Sequence, residues 1–323
     1  MRKFGKIVSY LILVIAFTVL MGFTAESESS AAGNLATNKA IIGRLGELWN
    51  TGNLAIADEV FDADFVNHDP NNPEVTNSES YKGLVAAIHI GFPDFHVTTD
   101  DMIAEGDKVA FRWTINSTHQ GELMGMPATG TQVVWTGITM ARFADGKVVE
   151  MWWAHDHLGL FQQLGVIPPM PDGPPPMQRT APEDFVWSAL SKVTGNPGDP
   201  EKNKAIVLRE ELEGWAQGDV DVALEAISPN FVNHDPIWLG VTDYESYKQW
   251  VEFELDEPLN LTVDDLIAEE GKVAERWTID IGEGTTISGM SIHRFADGKI
   301  VERWWTKNLM DMLQKSGMIP PLG

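Results

Sequence analysis

The chain has 323 residues, 43% of them hydrophobic, which is enough to build one large domain or two ordinary ones. Its formal net charge of -24 disfavours a general binder of the phosphate backbone, so no nucleic-acid partner is expected and a solvated acidic surface is indicated. The absence of cysteine excludes disulfides, thiol catalysis and the lipid-modified cysteine of a bacterial lipoprotein.

The N-terminus begins with the basic stretch MRKFGK and continues with an uncharged apolar run from Ile7 to Ala25. This order is typical of a secretory signal peptide, which we expect to occupy residues 1–32. Because the run approaches the roughly 20 residues that span a bilayer, an uncleaved N-terminal membrane anchor stays open as the alternative. Either interpretation predicts an exported protein that is extracellular, periplasmic or anchored to the outer face of the cytoplasmic membrane. A secreted chain without cysteine suits a bacterium.

Helical patterns come first in the remaining chain. Apolar residues recur with a helical period from Ala40 to Trp49, a short helix is expected to run through Phe61, and another is expected around Ser78–Ile90. Alternating patterns with tight EGDK and ADGK turns then predict four strands, before a last short helix at Leu158–Leu164. The strands are Val97–Ala104, Lys108–Thr118, Thr131–Phe143 and Lys147–Asp156. Helices followed by antiparallel strands predict an α+β fold.

The same motifs occur twice in the same order, so the chain is a tandem duplication. FVNHDP is unchanged in both halves, DDMIAEGDKVAFRWTI matches DDLIAEEGKVAERWTI, and RFADGKVVE matches RFADGKIVE. Between the copies, a proline-rich stretch indicates a linker, in which EDFVWSALSKV is expected to form a short helix. We therefore expect one domain at 36–169, a linker at 170–200 and a second domain at 201–321.

The second copy departs from the first in two ways. The offset between matched residues falls from 164 before the loop at residues 116–137 to 152 after it, so the second copy lacks about 12 residues there. Asp156 of the first copy is matched by Asn308 in the second. Because an amide cannot act as a base, we expect the second copy to have lost catalysis and to persist as a packing partner or a binding module.

Strand alternation divides the last strand of the first copy between two faces. Glu150, Trp152 and Asp156 share one face, which we assign to the concave interior, where small-molecule sites prefer to lie. His155 then points to the other face. The candidate for a metal site is the histidine and carboxylate cluster His68, Asp69, His155, Asp156 and His157. Since consecutive strand residues point apart and no ligand-spacing motif occurs, no metal ion is expected.

The motifs NHDP, PDFH, AEGDKVAFRWT, THQGELMGMPATG and FADGKVVEMWW, followed by Asp156 and LGLFQQLG, resemble in this order the SnoaL-like polyketide cyclase family, also called ester cyclases. The resemblance covers nearly all of 36–169 and, less completely, 201–321. It implies the nuclear-transport-factor-two-like fold, here as two tandem cone-shaped α+β barrels, and a cofactor-independent intramolecular aldol cyclisation. The family's usual GTH reads STH at Ser117–His119, its double proline reads PA at Pro127–Ala128, and its members are normally single cytoplasmic domains.

The family places its acid/base aspartate at the end of the last strand, so the resemblance implies that Asp156 is the catalytic residue. A free aspartate titrates near 3.9, and burial in an apolar pocket raises that pKa toward a useful value. Acid/base catalysis of this kind contributes roughly 100- to 10,000-fold in rate. The structural alternative is that Asp156 caps the helix that follows it.

Six further residues are predicted to belong to the substrate pocket: Asn67, His68, Arg112, His119, Glu150 and Trp152. Structural alternatives stay open for each of them. Asn67 and His68 fit a turn built by NHDP, Arg112 fits a structural ion pair, and His119 fits an exposed hairpin. The sequence therefore predicts an exported SnoaL-like cyclase that acts on a small apolar carbonyl substrate. A non-catalytic small-molecule-binding protein, or a hydrolase or isomerase using the same pocket, is the alternative. Pairing of the domains or homo-oligomerisation is also expected.

Overall fold

The computed structural model describes residues 34–168, 192–237, 240–255, 257–282 and 284–319. The predicted signal peptide lies outside these residues, as do most of the predicted linker and nearly all of the helix expected in EDFVWSALSKV. No helix in the described part of the chain is both long enough and apolar enough to cross a membrane.

The N-terminal domain has helices followed by strands, as predicted, with one additional strand. Helix α1 covers residues 34–51. The elements after it are α2 (Ala55–Val60), β1 (Phe61–His68), α3 (Ser78–Gly91), β2 (His96–Glu105), β3 (Lys108–Thr118), β4 (Gln132–Ala144), β5 (Lys147–His155) and α4 (His157–Gln163). The helix expected to run through Phe61 is corrected, because α2 ends at Val60 and β1 begins at Phe61.

The five strands form one sheet in the order β1-β5-β4-β3-β2. Strands β2 to β5 pair with their neighbours in antiparallel fashion, whereas β1 pairs in parallel with β5, so the sheet is mixed. The ADGK turn joins β4 to β5 with Asp145 and Gly146 at φ values of 50° and 74°. Two successive residues in this left-handed region match the twist of a tight hairpin, as the sequence predicted.

The C-terminal domain repeats this plan. Its elements are α5 (Pro200–Arg209), α6 (Val220–Glu225), β6 (Ile227–His234), α7 (Tyr244–Glu254), β7 (Asn260–Glu269), β8 (Lys272–Gly282), β9 (Thr285–Ala296), β10 (Lys299–Lys307) and α8 (Leu309–Lys315). The strand order is β6-β10-β9-β8-β7, which is the order of the first sheet. The α+β fold predicted for both copies is therefore confirmed.

A single inserted residue distinguishes the first helix of the two domains. The offset between matched residues is 165 at Lys39 and Lys204 but 166 at Trp49 and Trp215. Helix α5 absorbs the extra residue as a π-helical segment at Glu210–Trp215. Insertions of this kind widen one helical turn and often mark special sites in a helix.

The two domains pack against each other through the sheet faces that turn away from their own helices. A cluster of buried side chains from both domains fills this junction: Ile103, Ala110, Ile138, Met140, Ala154, Ile267, Ala274, Met290, Ile292 and Trp304. Reciprocal ion pairs flank it, since Lys108 lies 2.9 Å from Asp265 and Lys272 lies 2.6 Å from Asp101. Because matched residues contribute from both sides, the domains associate like the subunits of an isologous dimer.

Candidate functional site

A cavity of about 710 Å³ lies in the N-terminal domain, between the helices and the concave face of the sheet. Apolar and aromatic side chains dominate its wall, including Trp49, Tyr81, Phe95, Phe111, Trp113, Trp135, Trp153 and Phe161. The polar groups come mainly from β1, the loop after it, and the start of α4. A largely apolar hollow with a few convergent polar groups is the usual form of a small-molecule site.

The polar end of the cavity is built on a hydrogen-bonded pair, His155 and Asp69. The imidazole Nε2 of His155 lies 3.2 Å from Oδ1 of Asp69, and both side chains are buried. The other carboxylate oxygen accepts a hydrogen bond of 2.7 Å from the amide of Asn72, and the backbone N–H of Asn71 donates to Oδ1 at 3.0 Å. The loop that follows β1 therefore holds the carboxylate, and the imidazole belongs to the last residue of β5.

The charge states of this cluster follow from its surroundings. Burial alone would raise the pKa of the Asp69 carboxyl, but the charge and hydrogen bond of His155, with His157, outweigh burial and lower it to about 2. Burial and the neighbouring His155 lower the pKa of the His157 imidazole to about 3. Its ring centroid lies 4.0 Å from that of His155. Near neutral pH the cavity thus holds an ionised carboxylate and an uncharged imidazole on either side of His155.

Asn67 lines the cavity, as predicted, and also fixes an aromatic wall residue. Its side-chain amide donates to the carbonyl of Val75 at 3.0 Å and accepts a hydrogen bond of 2.8 Å from the indole N–H of Trp153. Asn67 lies on β1 opposite Met151 of β5, so it shares a face with the odd-numbered residues of that strand.

The structure corrects the face assigned to β5. Trp153 and His155 line the cavity, whereas Trp152 packs against the junction between the domains. The Trp152 ring stacks on His68 with centroids 5.2 Å apart, and the guanidinium of Arg276 lies 4.9 Å from the centroid of the same ring. The predicted alternation is confirmed, but the interior face is the one that carries Trp153 and His155.

Glu150 and His68 lie on that same outer face. Glu150 pairs with the guanidinium of Arg142 at 2.6 Å and with the imidazole of His68 at 3.2 Å. Arg142 and His68 lower the pKa of the Glu150 carboxyl against the opposing effect of partial burial. Neither residue lines the cavity, so their predicted placement in the pocket is corrected.

Arg112 and His119 are also placed away from the cavity wall. The fully buried guanidinium of Arg112 lies 3.5 Å from Asp100 and 4.5 Å above the ring of Trp304 in the other domain. This is the structural ion pair given as the alternative. His119 is buried behind the rim loop, where Nδ1 lies 3.1 Å from the hydroxyl of Thr129. It orders the rim without contacting the cavity.

Asp156 occupies the junction between β5 and α4. Its side chain is 3% exposed and accepts a hydrogen bond of 2.8 Å from the backbone N–H of Gly159, so it caps α4. A side chain at Gly159 would collide with this carboxylate, because its Cβ would lie 2.1 Å from Oδ2. The cavity is lined by the neighbours His155 and His157. The acid/base role of Asp156 stays a prediction. Among the described residues, no three histidine or acidic side chains are arranged to hold a metal ion.

Both halves of the chain match known families. Residues 39–164 match the family described as SnoaL-like polyketide cyclase, and residues 208–303 match the one described as SnoaL-like domain. Aklanonic acid methyl ester cyclase DauD of Streptomyces sp. (strain C5) is 30% identical over an alignment of 151 residues, and the match covers 43% of this chain and 91% of that protein. The chain belongs to the SnoaL-like polyketide cyclase family.

Two further relatives each match part of the chain. Aklanonic acid methyl ester cyclase DnrD of Streptomyces peucetius is 28% identical over 142 residues, covering 43% of this chain and 98% of that protein. Wild-type IdmH from Streptomyces antibioticus, whose crystal structure is known, has 33% sequence identity to this chain. The match covers 40% of this chain and 99% of IdmH, with a TM-score of 0.37.

The second SnoaL-like domain carries charged side chains at positions that, in the first, are buried in the core or line the cavity. Phe111 is matched by Glu275, Met151 by Arg303, and His155 by Lys307. The π-helical segment adds Glu210 and Glu211, which are buried in the same interior.

These buried side chains of the second domain form one hydrogen-bonded network. Arg303 donates to Glu210 at 2.5 Å and to His293 at 3.1 Å, and His293 lies 2.9 Å from Glu275. Burial and the adjacent carboxylates of Glu275 and Glu210 raise the pKa of the Glu211 carboxyl, which favours its protonated form. A charged network therefore occupies the space that in the first domain is lined by apolar residues.

Asp69, His155 and His157 were not predicted as site residues. Their signal was present in the comparison between the copies, because His155 and His157 become Lys307 and Leu309 where the first domain's cavity lining is lost. NHDP is unchanged in both copies, which had favoured a structural role for Asp69. The imidazole partner of Asp69, by contrast, is a residue 86 positions away in the chain.

Proposed function

We propose that the N-terminal domain catalyses a cofactor-independent, intramolecular aldol-type cyclisation of an apolar carbonyl compound. The observation that carries this proposal is the His155–Asp69 pair at the polar end of an otherwise apolar, aromatic cavity. Membership of the SnoaL-like polyketide cyclase family supports the reaction type.

In this proposal His155 is the group that moves the proton. Because Nε2 faces Asp69, Nδ1 is the nitrogen left to remove a proton from the carbon beside a substrate carbonyl. The enolate forms a carbon–carbon bond to a second carbonyl carbon of the same molecule. The alkoxide that results takes the proton back from the imidazolium, so protons balance over the cycle. General acid/base help of this kind contributes roughly 100- to 10,000-fold.

The other groups of the cluster suit this chemistry. Asp69, whose pKa of about 2 keeps it ionised, orients the imidazole and stabilises the imidazolium that forms. His157, whose pKa of about 3 keeps it neutral, can offer a hydrogen bond without adding a charge. The aromatic walls exclude water and hold the substrate folded, which supplies the orientation that ring closure needs.

The compound named for the relatives, aklanonic acid methyl ester, is the first substrate to test. We expect His155→Gln and Asp69→Asn to reduce its cyclisation at least about 100-fold. Asp156→Asn keeps an oxygen that can cap Gly159, and we expect it to retain most turnover. Lost turnover in Asp156→Asn together with full turnover in His155→Gln would instead assign the acid/base role to Asp156, as the resemblance implies.

The same assay separates an enzyme from a binding protein. A non-catalytic protein with this cavity would bind the compound, quenching fluorescence from Trp113 and Trp153, without turnover. Binding that is equal in the wild type and in His155→Gln, with no cyclisation by either, would reject the enzymatic proposal.

We further propose that the protein is exported, on the strength of the basic and apolar N-terminal segment. Expression in a bacterial host with fractionation and N-terminal sequencing tests this. A mature N-terminus between residues 25 and 33 in the exported fraction supports cleavage. Full-length protein in the cytoplasm would contradict export.

A further inference from the structure

Asn308 crosses the junction between the two domains. It stands at the start of α8, where Asp156 stands before α4, and its side chain is 2% exposed. The amide nitrogen donates to the carbonyl of Trp153 at 2.8 Å, and the amide oxygen lies 3.3 Å from the backbone N–H of His155. Both partners belong to the strand that lines the cavity of the other domain.

This pairing needs an amide. In a sheet, a neighbouring strand bonds to a backbone carbonyl and to the N–H two residues further on, here those of Trp153 and His155. A side-chain amide offers the matching donor and acceptor. An ionised carboxylate has acceptors only, so one oxygen would face the carbonyl of Trp153 without a proton between them. The asparagine at this position of the second copy thus has a structural reason, in addition to the loss of the basic carboxylate.

Asn308 is also linked to Asp69, the other member of the pair. Its oxygen accepts a hydrogen bond of 2.9 Å from the side chain of Asn71. The backbone N–H of Asn71 in turn donates to the Asp69 carboxylate at 3.0 Å. One side chain of the C-terminal domain is therefore linked to the strand that carries His155 and to the loop that carries Asp69.

We propose that Asn308 is a positioning residue through which the C-terminal domain sets the geometry of the His155–Asp69 pair. We call Asn308 with its hydrogen bonds to Trp153, His155 and Asn71 the clamp. Within the C-terminal domain, the Asn308 amide also donates a 2.9 Å hydrogen bond to the hydroxyl of Ser288 on β9, which fixes the clamp to that strand. The N-terminal site is then incomplete without the second domain. The catalytic meaning of this clamp rests on the proposed function, but the clamp itself does not.

The test uses the full chain and a readout at His155 that does not require turnover. NMR of histidine labelled at Cε1 follows the imidazole titration, with the signal assigned by its loss in His155→Gln. The titratable groups that face this ring are Asp69 and His157. Asn308→Asp replaces the donor with a carboxylate, and Asn71→Ala removes only the link to the loop. Lys272→Met, which breaks an ion pair elsewhere in the same junction, is the matched control.

We expect Asn308→Asp and Asn71→Ala to move the chemical shift and titration midpoint of His155, and Lys272→Met to leave both as in the wild type. With aklanonic acid methyl ester, kcat is expected to fall by about 10- to 100-fold in Asn308→Asp with a smaller change in KM. Wild-type titration in both variants, or an equal change in Lys272→Met, would overturn the proposal. Should Asn308→Asp fail to fold, Asn71→Ala decides. If the wild type does not turn the compound over, the proposed function fails while the titration still tests the clamp.

Discussion

Replacing His157 with leucine, the residue at the matched position 309, should make the protein more resistant to acid. The folded state holds the pKa of His157 at about 3, against an ordinary value of 6.5. Below pH 6.5 the unfolded chain therefore binds a proton that the folded chain does not, and stability falls with pH until the folded group also titrates near 3. Between pH 7 and 4.5 this one group costs the wild type about 2 to 3 kcal/mol of unfolding free energy.

Urea unfolding at these two pH values, followed by tryptophan fluorescence, measures the effect. The wild type should lose about 2 to 3 kcal/mol more unfolding free energy than His157→Leu when the pH falls from 7 to 4.5. His96→Leu, which removes an exposed histidine, should show no such shift. A difference between His157→Leu and the wild type that stays constant over this range would refute the argument that burial holds this imidazole neutral.

Three further changes test other parts of the structure. Trp304→Ala empties a fully buried position in the domain junction and should lower the unfolding free energy by about 3 to 5 kcal/mol, measured by urea denaturation. Arg303→Met leaves the buried carboxylate of Glu210 without its cation and should cost about 3 to 5 kcal/mol, an effect that would be absent if Glu210 were solvated. Gly121→Ala would bring a Cβ to 1.9 Å from the carbonyl oxygen of Ile90, so the cavity rim should shift and ligand binding measured by fluorescence should weaken; unchanged affinity would contradict this.

The tandem architecture and most strands were predictable because the responsible signals are local and repeated. Four predicted strands agree with β2 to β5 to within one residue at each end. Strand β1 was missed because Phe61–His68 alternates poorly, with buried residues at its first, fifth and seventh positions only. Its partner β5 is some 90 residues away and runs parallel to it, so no turn signal marks the pairing.

The interior face of β5 could not be chosen from alternation alone. An isolated domain would expose one face of its sheet, and polarity would then separate the two. Here the second domain covers the outer face, so Trp152 and Ala154 are as apolar as Met151 and Trp153 on the inner face. Residues expected in the pocket therefore turned out to serve the contact between the domains.

The polar cluster at the end of the cavity was hidden for a related reason. His155 and Asp69 belong to motifs that look structural when each is considered separately, and only the fold brings them to 3.2 Å. Comparison of the copies still carried usable information, because Phe111, an apolar residue of the cavity wall, becomes the buried acid Glu275 in the second domain. A charged residue at a buried strand position is a signal that a cavity has been replaced by a polar network.

Exchange of substrate protons with D₂O tests the central claim most directly, because it isolates proton removal from ring closure. NMR of aklanonic acid methyl ester should show faster deuterium incorporation beside its carbonyl with the wild type and with Asp156→Asn, and none above the uncatalysed rate with His155→Gln. Exchange in His155→Gln as fast as in the wild type would contradict the account, since the imidazole of His155 could not then be the base.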